Sequence, residues 1–329
     1  MADPLSVHGG RRAAAMARFP EAPRPWLDLS TGINPRPYPV GPLDPAVFAD
    51  LPDPEDLAAL EATAARAYGV ADPAMVVAAP GTQGLIDLLP LLVAPGKAAV
   101  LGPTYGGHGP GWLRAGHQLR SVHHLGDLAG ADYGVVVNPN NPDGRVFAAA
   151  DLLPLAARLG ARGGFLLVDE AFADLEGPGL GAHLPRPGLV LLRSFGKTYG
   201  LAGLRLGFAL AAPDMAAAIR AGLGDWAVSG PAIAVGRKAL ADEDWRRAAA
   251  DWTASAAARL DGLMTGAGFA VEGGCRLFRL YARKDATAWF ERLARAGILT
   301  RPFAWRSDLL RLGLPASEAD FQRLAAALS

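Results

Sequence analysis

Lys197 stands in the stretch Arg193-Ser194-Phe195-Gly196-Lys197-Thr198-Tyr199-Gly200, directly after the apolar run Leu189–Leu192. A buried strand that ends in a small polar turn delivers one amine to a fixed place. Such an amine can condense with a carbonyl carbon and act as a covalent catalyst. Ser194 lies three residues before it and Arg205 eight residues after it. A hydroxyl and a guanidinium so placed can grip a phosphate, and the set suits a lysine that forms a Schiff base with pyridoxal phosphate. The other lysines lack this setting: Lys97 follows Pro95-Gly96, Lys238 lies in a helical pattern, and Lys284 lies in a charged turn.

A cofactor of this kind needs more than an amine. It needs an anion site, a carboxylate for the pyridine nitrogen, a donor for the ring oxygen and a flat wall. Open parallel sheets bind ligands in the loops at the carboxyl ends of their strands, and the chain has a candidate for each need in such a loop. Asp169 follows Phe165-Leu166-Leu167-Val168. A carboxylate there can hold a proton on a pyridine nitrogen through a charge-assisted hydrogen bond, or it can cap a helix. Asn141 lies in Asn138-Pro139-Asn140-Asn141-Pro142-Asp143-Gly144, after Val135-Val136-Val137. These residue types also make a tight turn, but Asn141 precedes Asp169 by 28 residues, and Asp169 precedes Lys197 by 28. Gly81, Thr82 and Gln83 lie in Pro80-Gly81-Thr82-Gln83-Gly84, where backbone amides opening a helix can bind phosphate. In Pro103-Thr104-Tyr105-Gly106-Gly107-His108, Tyr105 could stack on a ring and His108 could brace Asp169 from behind. Either could equally be an ordinary strand-end aromatic or surface histidine.

The elements that must position these residues read as an α/β fold. Met75–Ala79, Ala98–Leu101, Gly134–Val137, Phe165–Val168, Leu189–Leu192 and Leu206–Ala211 read as strands, and Gly84–Val93, Asp151–Leu159 and Pro213–Leu223 as helices. Apolar strands without polar alternation, separated by helices, imply a mainly parallel sheet sandwiched by helices. After Trp226-Ala227-Val228-Ser229 a long helical stretch runs to about Met264, and two or three short strands and two more helices follow. The expectation is a large domain over 45–228. A smaller α+β domain would comprise 229–329, joined by an irregular N-terminal arm, 1–44.

Composition narrows the function. Hydrophobic residues make up 51% of the 329, enough for one large core or a large and a small one. Lys+Arg and Asp+Glu balance at 32 each, so no basic surplus points to nucleic acid. The single cysteine, Cys275, excludes an intrachain disulfide and fits a reducing compartment. The run near Leu85–Val93 is broken by Asp87 and Pro90, and the N-terminus, with Asp3 and His8, has no apolar signal core. The expected location is the cytoplasm, with no membrane partner and no metal site.

Taken together, these residues resemble the fold-type-I pyridoxal-phosphate enzymes of the aspartate aminotransferase superfamily, over nearly the whole chain. The resemblance implies that Lys197 holds the cofactor and shuttles protons, with Asp169 at the pyridine nitrogen. It puts Asn141 at the ring oxygen, Tyr105 on the ring face, and Gly81, Thr82, Gln83, Ser194 and Arg205 around the phosphate. Arg311, in Leu309-Leu310-Arg311-Leu312-Gly313, matches the arginine that grips the substrate α-carboxylate, a task suited to a fork-shaped guanidinium. It also implies a homodimer.

A narrower similarity lies at the two ends. His8-Gly9-Gly10, Asp28-Leu29-Ser30-Thr31-Gly32-Ile33-Asn34-Pro35, Leu51-Pro52-Asp53-Pro54, Asp169-Glu170-Ala171-Phe172 and Arg301, ten residues before Arg311, are similar to the threonine-phosphate decarboxylase group. This similarity implies loss of CO₂ from a small phosphorylated amino acid, L-threonine O-3-phosphate, to give (R)-1-amino-2-propanol O-2-phosphate for cobalamin biosynthesis. It implies that His8 and Arg301 bind the substrate phosphate, that Gly32 and Ile33 line the pocket, and that Asn141 also touches substrate. Two positions depart from the pattern. Phe172 stands where many relatives have tyrosine, leaving the ring oxygen more nearly to Asn141. Leu51 stands where a tyrosine commonly reaches the neighbouring subunit.

Decarboxylation and transamination use the same lysine, aspartate and arginines; they differ in which Cα bond is held perpendicular to the ring. A histidinol-phosphate aminotransferase, or a related class I/II aminotransferase, is therefore the alternative activity. A different class, the effector domain of a transcription regulator, would need a DNA-binding segment, for which a 44-residue irregular arm is too short.

Overall fold

The computed structural model describes Leu5 and residues 8–329; Asp3 lies outside them. The chain forms two compact units. The larger comprises Tyr38–Asn141 and Arg145–Arg246, the smaller Met1–Pro37, Pro142–Gly144 and Arg247–Ser329. These divisions fall at 37/38 and 246/247, where the sequence reading puts 44/45 and 228/229. The helix Gly230–Ala241 goes with the larger unit because it packs on Pro54–Tyr68 through Ala232, Ile233 and Val235.

The larger unit is built on a seven-stranded sheet. Its strands are β1 (Val76–Ala79), β2 (Lys97–Leu101), β3 (Gln118–Val122), β4 (Tyr133–Val137), β5 (Phe165–Asp169), β6 (Leu189–Ser194) and β7 (Gly207–Ala211). They lie in the order β1-β7-β6-β5-β4-β2-β3. Strand β7 runs antiparallel to both its neighbours, and the remaining pairs are parallel. Alternate residues of a strand face opposite sides. Val136, Leu166, Val168 and Leu191 accordingly join one core with Leu60, Leu152 and Ile233. Val135, Leu167, Val190 and Leu192 join a second core with Leu85, Trp112 and Ile219. Helices cover both faces, which is why these strands read as unbroken apolar runs.

Three local readings change. Strand β3 escapes the sequence because Gln118-Leu119-Arg120-Ser121 is largely solvent-facing at the sheet edge. The expected helix 84–93 begins at Thr82 and gives way after Leu88 to a 3-10 turn containing Pro90, which has no N–H to continue the helical ladder. The long stretch to Met264 is two helices, Gly230–Ala241 and Glu243–Gly266. Asp242 separates them: its Oδ1 accepts from the Trp245 amide at 2.9 Å.

The smaller unit holds a four-stranded antiparallel sheet in the order Arg301–Phe303, Arg306–Gly313, Phe278–Ala282, Ala270–Cys275. Leu310 and Leu312 of this sheet pack with Leu260, Phe290, Leu293 and Phe321 from its helices. Leu27–Asp28 pairs in parallel with Ile298–Leu299. Five short strands thus follow Met264, where the sequence reading expects two or three. Among the described residues no helix is long and apolar enough to cross a membrane.

Candidate active site

Strand ends and the turns after them build one cavity in the larger unit. Gly81, Thr82, Gln83, Tyr105, Asn141, Asp169, Ser194, Lys197 and Arg205 all line it, so nine sequence-selected residues meet there. Asp169 is the last residue of β5 and pairs in register with Val137 and Leu192. Lys197 is carried by the short helix Phe195–Thr198 that begins where β6 ends. Its Nζ lies 5.6 Å from the centre of the Phe172 ring. Phe172 is buried and supplies no hydroxyl.

Asp169 is held from behind. His108 Nε2 lies 2.9 Å from Asp169 Oδ2, and the Ala171 amide donates to Oδ1 at 3.0 Å. His108 is fully buried, and its Nδ1 has no hydrogen-bond partner among the described residues. His108 is the one residue selected for the cofactor that does not line the cavity. Tyr105 lies edge-on to His108, with ring centroids 6.0 Å apart, and its hydroxyl donates to Gln83 Oε1 at 2.9 Å. The neighbouring Asn140 ties two loops together: Thr104 Oγ1 donates to its Oδ1 at 2.6 Å, and its Nδ2 donates to Pro103 O at 3.0 Å.

The opposite end of the cavity is shaped by missing side chains. Gly207 pairs with both Ser194 and Ala79, and a Cβ on it would lie 2.7 Å from the Thr82 amide nitrogen. Gly81 has φ +84°, and a Cβ there would lie 2.6 Å from Arg205 Nη2. Glycine at both places lets an amide, a hydroxyl and a guanidinium converge. Arg205 itself takes a left-handed backbone, φ 54°, and donates from Nη1 to Ala202 O at 3.0 Å.

Behind the strand ends lies a cluster that sequence reasoning passed over. Arg193 and Glu170 are each 2% exposed. Arg193 reaches Glu170 Oε2 at 3.0 Å and Asp174 Oδ1 at 2.7 Å, and the Leu180 amide donates to Glu170 Oε1 at 3.0 Å. Burial pushes the Glu170 carboxyl above its ordinary range, opposed by the charge of Arg193. The available signal was adjacency: Glu170 follows Asp169 and Arg193 precedes Ser194, on paired strands. Charge in a sequence says nothing of burial, so the link was not visible there.

The remaining selected residues, His8, Gly32, Ile33, Arg301 and Arg311, belong to the smaller unit. Arg301 and Arg311 are cross-strand partners in register. Arg311 is 5% exposed and donates from Nη2 to Ser30 O at 2.8 Å. Burial, and then the charge of Arg301, push its guanidinium down to about 9. Burial, and then Arg301 and Arg11, hold the His8 imidazole below its ordinary range. Gly32 is buried and Ile33 half-buried. Two like charges facing each other across a sheet are destabilising, and a bound anion would relieve the repulsion.

Known proteins carry the same architecture. The profile of the family described as "Aminotransferase class I and II" matches residues 44–328. A threonine-phosphate decarboxylase of Pseudomonas aeruginosa is 43% identical over 98% of this chain and 96% of its own length. One from a Sinorhizobium species is also 43% identical, over 98% of this chain and 97% of its own. The histidinol-phosphate aminotransferase of Sinorhizobium meliloti, solved with pyridoxal-5'-phosphate, superposes with a TM-score of 0.80 at 25% identity, over 99% of this chain and 95% of that one. A cavity assembled from strand ends on a fold-type-I sheet thus coincides with a profile match over most of the sequence, and the chain belongs to the aminotransferase class I and II family.

Proposed function

We propose that this protein is a pyridoxal-phosphate-dependent decarboxylase of L-threonine O-3-phosphate. One observation carries the choice of reaction: 43% identity to threonine-phosphate decarboxylases over nearly the full length of both chains. The solved aminotransferase is 25% identical. Decarboxylation yields (R)-1-amino-2-propanol O-2-phosphate, a step toward cobalamin.

The residues present fit the cofactor. Glycine at 81 leaves open the space beside Arg205 that a side chain would fill; there Gly81, Thr82, Gln83, Ser194 and Arg205 would hold the phosphate. Asp169, backed by His108, would keep the pyridine nitrogen protonated, Asn141 would donate to the ring oxygen, and Tyr105 would cover one ring face. When bound, the cofactor supplies an electron sink for the pair left at Cα as CO₂ departs. Lys197 holds the cofactor and returns a proton from Nζ to Cα. Phe172 beside Lys197 presents a face with no hydroxyl, so Asn141 is the group that satisfies the ring oxygen. Arg311 is the proposed seat of the α-carboxylate, His8 and Arg301 of the phosphate, and Gly32 and Ile33 the lining that meets the substrate's carbon chain.

Large apolar side chains left to solvent, Phe48 and Leu51 at 70% exposed and Trp226 at 59%, support association into a homodimer, and the cytoplasm is the proposed location.

The activity test is direct. Purified protein with pyridoxal phosphate and threonine phosphate should release CO₂ and the phosphorylated amino alcohol, and Lys197→Ala should abolish both the turnover and the bound-cofactor absorbance band. Faster formation of glutamate and the ketone phosphate from histidinol phosphate and 2-oxoglutarate would overturn the assignment.

A further inference from the structure

We infer that Ser30 is a positioning residue that docks the N-terminal arm and orients Arg311, so that one residue sets both the phosphate seat and the carboxylate seat. The inference rests on the roles proposed above for His8 and Arg311. All the groups concerned lie in the smaller unit.

Ser30 is 2% exposed, and each of its polar atoms is engaged. Its carbonyl accepts from Arg311 Nη2 at 2.8 Å. Its hydroxyl donates to Asp28 Oδ1 at 2.6 Å, and its amide donates to the same oxygen at 2.9 Å. Asp28 therefore fixes where the hydroxyl proton points, and a lone pair of Oγ is left to accept from the Gly10 amide at 2.7 Å. A buried serine that only needed satisfying would be served by Asp28 alone. Here the hydroxyl also reaches the arm, and the carbonyl reaches a buried guanidinium that faces a second arginine.

The arm is built to lie against this residue. A Cβ on Gly9 would stand 2.2 Å from Ser30 O, far inside van der Waals contact, so the arm can come this close only with glycine there. The carbonyl that Gly9 packs against is the one Arg311 uses. His8 immediately precedes Gly9. Docking of the arm and direction of the guanidinium therefore share one atom.

Two variants approach the contact from opposite sides: Ser30→Ala removes the hydroxyl, and Gly9→Ala forces the arm off the carbonyl. Each should raise KM for threonine phosphate about fivefold, the worth of one lost hydrogen bond, with kcat changing less than KM. His8→Ala should raise KM too, and the Ser30→Ala/His8→Ala double variant should be no worse than the worse single variant, because an undocked arm has already withdrawn His8. Trypsin should cut after Arg11 or Arg12 faster in both variants than in the parent protein. Independent, multiplying effects of Ser30 and His8, or cleavage as slow as the parent's, would overturn the inference. An unchanged KM in His8→Ala would instead sink the reading of His8, while the cleavage rates would still decide whether Ser30 docks the arm.

Discussion

In the larger unit Asp169 meets His108, and Glu170 and Asp174 share Arg193; in the smaller unit two arginines face each other across a pair of strands. The first arrangement gives each buried carboxylate a partner within the protein. The second sets two positive charges opposite each other, where the proposed function puts an anionic substrate. The difference separates two tasks. A resident cofactor favours a site whose carboxylate and loops are set beforehand. A substrate that comes and goes is better received by groups whose repulsion it relieves, since that relief adds to affinity.

The hardest test of the paired carboxylates is Arg193→Met. It leaves Glu170 and Asp174 buried together with no cation, and unfolding by urea should show a loss of about 3–5 kcal/mol. A loss below about 1 kcal/mol, the size of a surface pair, would mean the cluster is no counterweight. His108→Phe comes next. It leaves Asp169 Oδ2 without its partner, which should lower stability by about 1–3 kcal/mol and weaken pyridoxal phosphate binding in an absorbance titration. Unchanged cofactor affinity would make His108 a packing residue only.

The arginine pair should respond in the opposite direction. Arg301→Gln removes the like charge opposite Arg311, so the ligand-free protein should become more stable by about 0.2–1 kcal/mol. The same variant should bind threonine phosphate more weakly and lose most of the substrate-induced rise in Tm. A ligand-free protein made less stable would break the comparison. The smallest effect is in pH. The folded protein holds Arg311 down to about 9, whereas the unfolded chain keeps that proton throughout this range. The unfolded state then binds more protons, so the contribution of Arg311 to stability should rise as pH passes upward through about 9. The measurement is the stability of the parent protein relative to Arg311→Met on both sides of that pH. Raised tyrosines such as Tyr281 act in the opposite direction in both proteins and cancel in the difference.

Legibility in the sequence followed physical locality. Strands β4, β5 and β6 carry long apolar runs, with Asp169, Arg193 and Ser194 only at their ends, because they are covered on both faces, so composition alone reveals them. Strand β3, at an edge and largely wet, carries no such run. Asn141, Asp169 and Lys197 could be picked out because each follows a legible strand. His108 could be picked out as a residue, but only the fold turns its ring toward Asp169, 61 positions away. Ser30 reads as one more small polar residue in a loop, and its bonds to Gly10 and Arg311 span 20 and 281 positions.

The sequence by itself determined which amine, which carboxylate and which arginines could do chemistry, and on which kind of sheet. Those properties reside in residue type and in periodicities of a few residues. Tertiary structure alone decided which charges are buried, which are paired, and that Arg311 meets Ser30. Burial and pairing depend on segments that are far apart in the chain, and no local pattern encodes the register in which they meet.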